Sequence, residues 1–287
     1  MITLSASTLG APGESLEQVL AWLRQHEVPA IELRLSGGEI ADPVLTRAER
    51  RAVRGEIEDA GVVVTGIASY VKVASATEDE MVLGSLVSAL DFAVDLGAPV
   101  VRVFPGAPVE PGPYDEVPRL LQPRPEVDAR AAKRLGAIAS YAQDCGVLPA
   151  LETHDSHPTG RQIAAVLEQV EGPVGAIWDL MHPWRVGEPL EESWAALSPW
   201  LSVGHGSVQV KDANLPADRT PLLVGEGTLP TDEFAELLVR ERYAGPVTLE
   251  WEKKWHPGAA PLDEALASTR RWLDRHWSAA DQTSTMS

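Results

Sequence analysis

The sequence predicts an α/β chain folded as a single (β/α)8 barrel, and three observations carry that prediction. Short apolar, β-branched runs alternate with longer amphipathic ones, and eight such runs can be picked out. The stretch after the first run, STLGAPGES (7–15), lacks the G-x-G-x-x-G spacing that an open dinucleotide-binding sheet would want. Strict alternation of strand and helix implies a parallel sheet, and eight units in 287 residues close most naturally into a barrel.

In chain order, the strand ITLSAS (2–7) precedes the helical pattern SLEQVLAWLRQH (15–26), and AIELRL (30–35) precedes LTRAERRAVRGEIEDAG (45–61). VVVTGIAS (62–69) leads to EDEMVLGSLVSALDFAVDLG (78–97), and PVVRVF (99–104) to VDARAAKRLGAIASYAQDCG (127–146). VLPALE (147–152) is followed by GRQIAAVLEQV (160–170), and VGAIWD (174–179) by LEESWAAL (190–197). SVQVKD (207–212) is followed by TDEFAELLVRERY (231–243), and PVTLEW (246–251) by DEALASTRRWLDRHW (263–277). Three of the helical patterns end in glycine, at Gly61, Gly97 and Gly146, as a helix turning into the next strand often does. One connection breaks the rhythm: PGAPVEPGPYDEVPRLLQPRP (105–125), proline-rich and too long for a simple βα loop, on the face where barrel active sites are built. We expect one domain over residues 1–277 and a polar, frayed tail over 278–287.

Composition excludes several functions. A formal charge of −18 repels phosphate backbones and anionic membranes, so nucleic acid is not an expected partner. No apolar run approaches the ~20 residues that span a bilayer, and MITLSASTLG lacks the basic start of a secretory signal. The expectation is a soluble, cytoplasmic protein, free to assemble as a homo-oligomer. Cys145 stands alone in an apolar-periodic stretch, which excludes an internal disulfide and any cysteine zinc cluster.

In a barrel the C-terminal ends of the strands converge, so polar residues that end apolar strands are the candidates for chemistry. Here they are acidic: Glu152, then His154; Asp179, then His182; Gln209, Lys211 and Asp212; and Glu250. Alternation puts Ala150 with Glu152, Ile177 with Asp179, Gln209 with Lys211, and Thr248 with Glu250 on common faces. Three carboxylates aimed into one mouth repel each other unless a cation neutralises them. Carboxylates and a side-chain carbonyl make an oxygen site suited to Mg²⁺ or Mn²⁺, though Zn²⁺ or Co²⁺ are also accepted by such ligands.

The pattern LETHD (151–155), WDLMH (178–182), VQVKD (208–212), LVGEG (223–227) and LEW (249–251) resembles the sugar-phosphate isomerase/epimerase superfamily of xylose-isomerase-like barrels. That superfamily includes ketose 3-epimerases, inosose dehydratases and isomerases, hydroxypyruvate isomerase and a dehydroshikimate dehydratase. The resemblance covers nearly the whole chain. It implies one divalent ion held by Glu152, Asp179, Gln209 and Glu250, where most members carry histidine at the position of Gln209 and some carry glutamine. A glutamine oxygen favours Mn²⁺ or Mg²⁺, and His205 is the alternative fourth ligand. The resemblance further implies a cis-enediolate mechanism in which Glu152 and Glu250 remove and return a proton, with His182 touching a substrate oxygen. His154 is expected to orient substrate, and His157 has a weaker claim.

Trp178, Trp184, Trp251 and Trp255 fall at or after strand ends, where indole faces can stack on a sugar ring. Lys211, Arg219 and Lys253 could meet a phosphate or carboxylate, or simply pair with acids of the chain. The expected activity is isomerisation or epimerisation of a small polyol-derived substrate. A metal-dependent dehydratase or lyase of a carbohydrate-derived acid or inosose is the alternative, and a non-catalytic carbohydrate-binding subunit is a third class. An apurinic endonuclease would need more histidines at earlier strand ends than GIASY (66–70) and RVFPG (102–106) supply.

Overall fold

A computed structural model describes residues 2–109, 122–202 and 204–284. Eight parallel strands, β1 (Thr3–Ser7), β2 (Ala30–Arg34), β3 (Val63–Lys72), β4 (Val100–Phe104), β5 (Leu148–Glu152), β6 (Gly175–Asp179), β7 (Ser207–Val210) and β8 (Pro246–Leu249), follow one another around a closed barrel. Closure comes from β1 pairing with β8, with Thr3 opposite Pro246 and Ala6 opposite Leu249. All eight predicted strands are present, and in each an apolar stretch is buried on both faces; only β3 extends beyond it, with Val63 and Tyr70 exposed at its ends.

The helices form the outer layer: α1 (Leu16–Gln25), α2 (Arg47–Asp59), α3 (Asp79–Leu96), α4 (Pro125–Ala137), α5 (Ala139–Cys145), α6 (Gly160–Leu167), α7 (Met181–Arg185), α8 (Leu190–Leu197), α9 (Thr231–Arg240) and α10 (Leu262–Ser284). Their starts are set by local chemistry. Ser15 accepts from the Gln18 N–H, and capping boxes pair Thr46 with Glu49 and Thr159 with Gln162. Gly97 ends α3 at φ 72°, a left-handed conformation that glycine adopts without penalty.

Three elements differ from expectation. The helix read over 127–146 is two, interrupted at Ile138, which is buried and follows Gly136, a weak helix former. The unexpected α7 begins where Asp179 Oδ1 accepts the Met181 N–H at 2.7 Å. Finally, α10 continues through Ser284, past the boundary read at 277, because SAADQ contains nothing that stops a helix. Most of the 105–125 connection, residues 110–121, lies outside the described residues.

The main apolar core lies between sheet and helices, with Trp178, Trp251, Trp272 and Phe234 among its largest buried side chains. A smaller cluster, Val100, Ala150 and Ile177, fills the barrel axis beneath the mouth. At the foot of β6 the chains pack so closely that a Cβ on Gly175 would come within 1.3 Å of the His205 carbonyl oxygen. Among the described residues no helix is long and apolar enough to cross a membrane.

Candidate active site

The register of the sheet decides what meets at the mouth. Glu152 lies opposite Ile177, Asp179 opposite Gln209, and Gln209 opposite Thr248, so β5 to β8 deliver their polar ends in a rising series. Glu152, Asp179 and Glu250 each bring a carboxylate oxygen to within 4.8 Å of the other two, and all three are buried. Gln209 is fully buried; its side-chain amide faces the Glu32 carboxyl, yet neither amide atom makes an aligned hydrogen bond among the described residues.

Two buried cations thread this cluster. Arg102 on β4 reaches Glu152 Oε2 through Nε at 3.2 Å and Glu250 Oε1 through a terminal nitrogen, also at 3.2 Å. Its guanidinium packs 4.3 Å from the Phe104 ring and donates to the Ser69 carbonyl at 3.2 Å. Lys211 pairs with Asp179 Oδ2 at 2.8 Å, with Glu252 at 2.7 Å, and with Glu250. Glu32 on β2, fully buried, lies two strands from Arg102 and feels its charge. Five carboxylates thus share two cations.

The charge imbalance shows in the carboxyl groups. Burial, with Glu250 and Asp179 nearby, raises Glu152 well above the usual carboxylate range despite Arg102. Burial likewise lifts Asp179 to about 7, against the pull of Lys211. Glu250 is the exception: burial would raise it, but Lys211 and Arg102 together outweigh that and hold it at about 2. His182 is held well below the ordinary histidine range, because burial and the neighbouring His154, Lys211 and Arg219 all disfavour its charged form.

Such a set fits a divalent ion. Glu152 Oε2 is met by Arg102 at 3.2 Å and Asp179 Oδ2 by Lys211 at 2.8 Å, cations they share with other carboxylates, and the Gln209 amide beside them has no aligned partner. A buried amide without an aligned partner costs ~1–3 kcal/mol, which a bound ligand would recover. Glu152, Asp179, Glu250 and the Gln209 carbonyl are the residues that could hold the ion.

The remaining predicted residues sort themselves by position. His182 sits with Nε2 3.9 Å from Asp179 Oδ2, and its ring stacks on His154 at 4.5 Å. Trp255, 54% exposed, lies at the rim over the Arg34 guanidinium at 5.1 Å, while Lys254 reaches Glu39 at 3.0 Å. Trp184 is half-buried against the core, and Arg219 is exposed with its charge bearing on His182 and Arg185. Others are elsewhere. Lys253, expected at the pocket, donates to the Pro257 and Ala259 carbonyls of its own loop at 3.1 and 2.6 Å. Trp178 packs on Phe234 and Trp251 donates to the Ala260 carbonyl, so both belong to the core. His205 is exposed before the start of β7, too far down the strand to replace Gln209. His157 is bonded to Asp128 away from the mouth.

Sequence reasoning missed Arg102 and Glu32. The signal was present: Arg102 is the lone charge in the apolar strand VVRVF, and Glu32 stands between Ile31 and Leu33 in AIELR.

A closed eight-stranded barrel with three buried carboxylates converging at its carboxyl-terminal mouth has the geometry of barrels that hold small polar ligands there. The chain belongs to the xylose isomerase-like TIM-barrel family, whose model matches residues 20–276. It is 28% identical over 253 residues, 82% of each chain, to a Streptomyces coelicolor protein provisionally named a hydroxypyruvate isomerase. Solved structures of the same fold include an L-ribulose 3-epimerase, with 18% identity and a TM-score of 0.76 over 100% of this chain and 98% of that one. The IolI protein, solved with a bound zinc atom, aligns with 15% identity and a TM-score of 0.75 over 96% of this chain and 99% of that one.

Proposed function

We propose that the protein is a divalent-metal-dependent isomerase or epimerase of a small carbohydrate-like substrate. The observation that carries this reading is the convergence of Glu152, Asp179 and Glu250 beside a buried Gln209 amide that has no aligned hydrogen-bond partner. The names of its relatives, an isomerase and an epimerase among them, support the same class. When bound, the ion would supply Lewis-acid polarisation of adjacent substrate oxygens and so acidify the carbon between them. That contribution is needed, because a carboxylate held as low as Glu250 is a weak base on its own.

The chain's own residues do the rest. Glu152 and Glu250 come from strands three positions apart around the barrel and so flank a substrate carbon placed between them. One takes the proton from a carbon beside the carbonyl, leaving an enediolate on the substrate. Return of a proton to the neighbouring carbon gives the isomer, and return to the same carbon from the opposite face gives the epimer. Arg102 and Lys211 keep the carboxylates apart and in register, and the His154 and His182 rings form the wall that meets a substrate oxygen. Burial of these groups keeps bulk water from the reacting carbon.

The test is metal analysis of the purified protein followed by deuterium wash-in from D₂O across ketoses, keto-inositols and hydroxypyruvate. Metal-dependent exchange at carbon on at least one substrate is expected. Absence of exchange across the panel with metal bound would overturn the reading, and loss of water from the substrate would move it to the lyase class.

A further inference from the structure

Next to the three carboxylates lies a second group that shares Glu152 but differs in chemistry. One donor atom from each of Glu152, His154 and His182 lies within 4.8 Å of the other two. The two rings stand 4.5 Å apart with a 58° tilt, and Phe104 covers the far side of His154 at 4.2 Å. His182 is only 3% exposed, yet neither ring nitrogen has a hydrogen-bond partner among the described residues. A neutral imidazole has one N–H and one lone pair to satisfy, and both are unmet here. Such a ring, buried and aimed at another histidine and a glutamate, is short of a ligand.

His154 is steadied from behind. Asp155 Oδ2 stands 3.5 Å from its Nδ1. Asp155 is held in a left-handed conformation, φ 34°, with Oδ1 accepting the Gly106 N–H at 3.0 Å. A carboxylate behind one ring nitrogen, leaving the other for an ion, is the usual support of a metal-ligating histidine.

We propose that Glu152, His154 and His182 form a second divalent-cation site, distinct from the carboxylate cluster in its two imidazoles and sharing only Glu152 with it, and selective for Zn²⁺ or Co²⁺ over Mn²⁺ or Mg²⁺. Two imidazoles and a carboxylate with an open fourth position make a common zinc set, and imidazole favours borderline-soft ions over hard ones. Ligands of a tetrahedral zinc lie roughly 3.3 Å from one another, given bonds of about 2.0–2.1 Å. Side-chain rotation therefore closes the site without movement of the strands. Asp179 Oδ2, 3.9 Å from His182 Nε2, adds a favourable negative charge, while Arg102 opposes the ion through its contact with Glu152. An ion here stands where the two rings would otherwise meet a substrate oxygen, so Zn²⁺ beyond the first equivalent competes with substrate. The proposal rests on the functional reading above only through Glu152 and this last consequence.

The experiment counts metal rather than turnover. Metal-stripped protein is loaded with Zn²⁺ or with Mn²⁺, desalted and analysed for bound metal, and Cu²⁺-loaded samples are examined by pulsed EPR for imidazole nitrogen. Wild type is expected to retain about two Zn²⁺ but about one Mn²⁺ per chain. His182→Asn and His154→Asn, each checked for folding by circular dichroism, should each drop to about one Zn²⁺, keep their Mn²⁺ and lose the two-imidazole signal. Asp179→Asn should lose Mn²⁺ and keep the imidazole-coordinated ion. A single Zn²⁺ in wild type, or an unchanged imidazole signal in both histidine variants, overturns the second site. Undiminished Mn²⁺ binding in Asp179→Asn would instead overturn the carboxylate site and leave the imidazole site standing.

Discussion

Two buried polar clusters lie a few residues apart along the chain, one at the barrel mouth and one beneath the loop that follows β5. In the second, Ser156 Oγ accepts the Ala107 N–H at 3.0 Å and lies 2.9 Å from His157 Nδ1, while His157 Nε2 lies 2.9 Å from Asp128 Oδ1. Arg124 donates to the carbonyls of Pro108 and Ser156, and Asp155 takes the Gly106 N–H. None of these side chains has an unmet buried atom. The mouth is the reverse: the Gln209 amide and the His182 ring have no aligned partner, and Glu152 and Asp179 are met by Arg102 and Lys211, which they share with other carboxylates. The lower cluster has the residue types of a hydrolytic triad, but Ser156 is wholly buried and every donor has its acceptor, so it is a clasp. It ties the ends of the long 105–125 connection to the β5 loop. Satisfied polar groups hold structure together, and unsatisfied ones wait for a ligand.

The sharpest way to break this contrast is to remove chemistry from the mouth. Glu250→Gln is expected to lower proton exchange by on the order of 10²–10⁴-fold, the usual contribution of a general acid or base, with circular dichroism unchanged. Unaltered exchange would take Glu250 out of the reaction.

The clasp should answer in stability instead. His157→Ala leaves the Ser156 hydroxyl and the Asp128 carboxylate without their partner, at about 1–3 kcal/mol for each buried group left unmet. Urea unfolding should register the loss while Mn²⁺ content stays at the wild-type value. A fall in metal content with no loss of stability would reverse the roles assigned to the two clusters.

The smallest effect is one of pH. Burial holds His157 below its ordinary value of 6.5, against the pull of Asp128. Below that pH the unfolded chain takes up a proton that the folded chain refuses, so this group costs stability as pH falls through 6.5 and has no effect above it. The urea midpoint of wild type should therefore rise more between about pH 5.5 and about pH 7.5 than that of His157→Gln. Equal increments would mean that the ring titrates in the fold as it does in the unfolded chain, and a smaller wild-type increment would mean that the fold favours the charged ring.

Much of this was legible from local pattern. The eight strands and the placement of Glu152, Asp179, Gln209 and Glu250 at their ends follow from apolar runs and period-two alternation, which short-range sterics enforce. The tryptophans were ambiguous, since Trp178 and Trp251 satisfy core packing as well as any ligand, and only their neighbours Phe234 and Ala260 decide. Lys253 was misplaced because its acceptors, the Pro257 and Ala259 carbonyls, appear only when the loop is folded.

What the sequence determined alone is the barrel, its parallel order and the inward acids, because each depends on residues near one another in the chain. What only the tertiary structure decided is how those acids are balanced. Arg102 meets Glu250 across 148 positions of sequence, and Lys211 meets it across 39. No local rule relates residues so far apart; the closed sheet brings them together, and burial then makes each charge depend on the others.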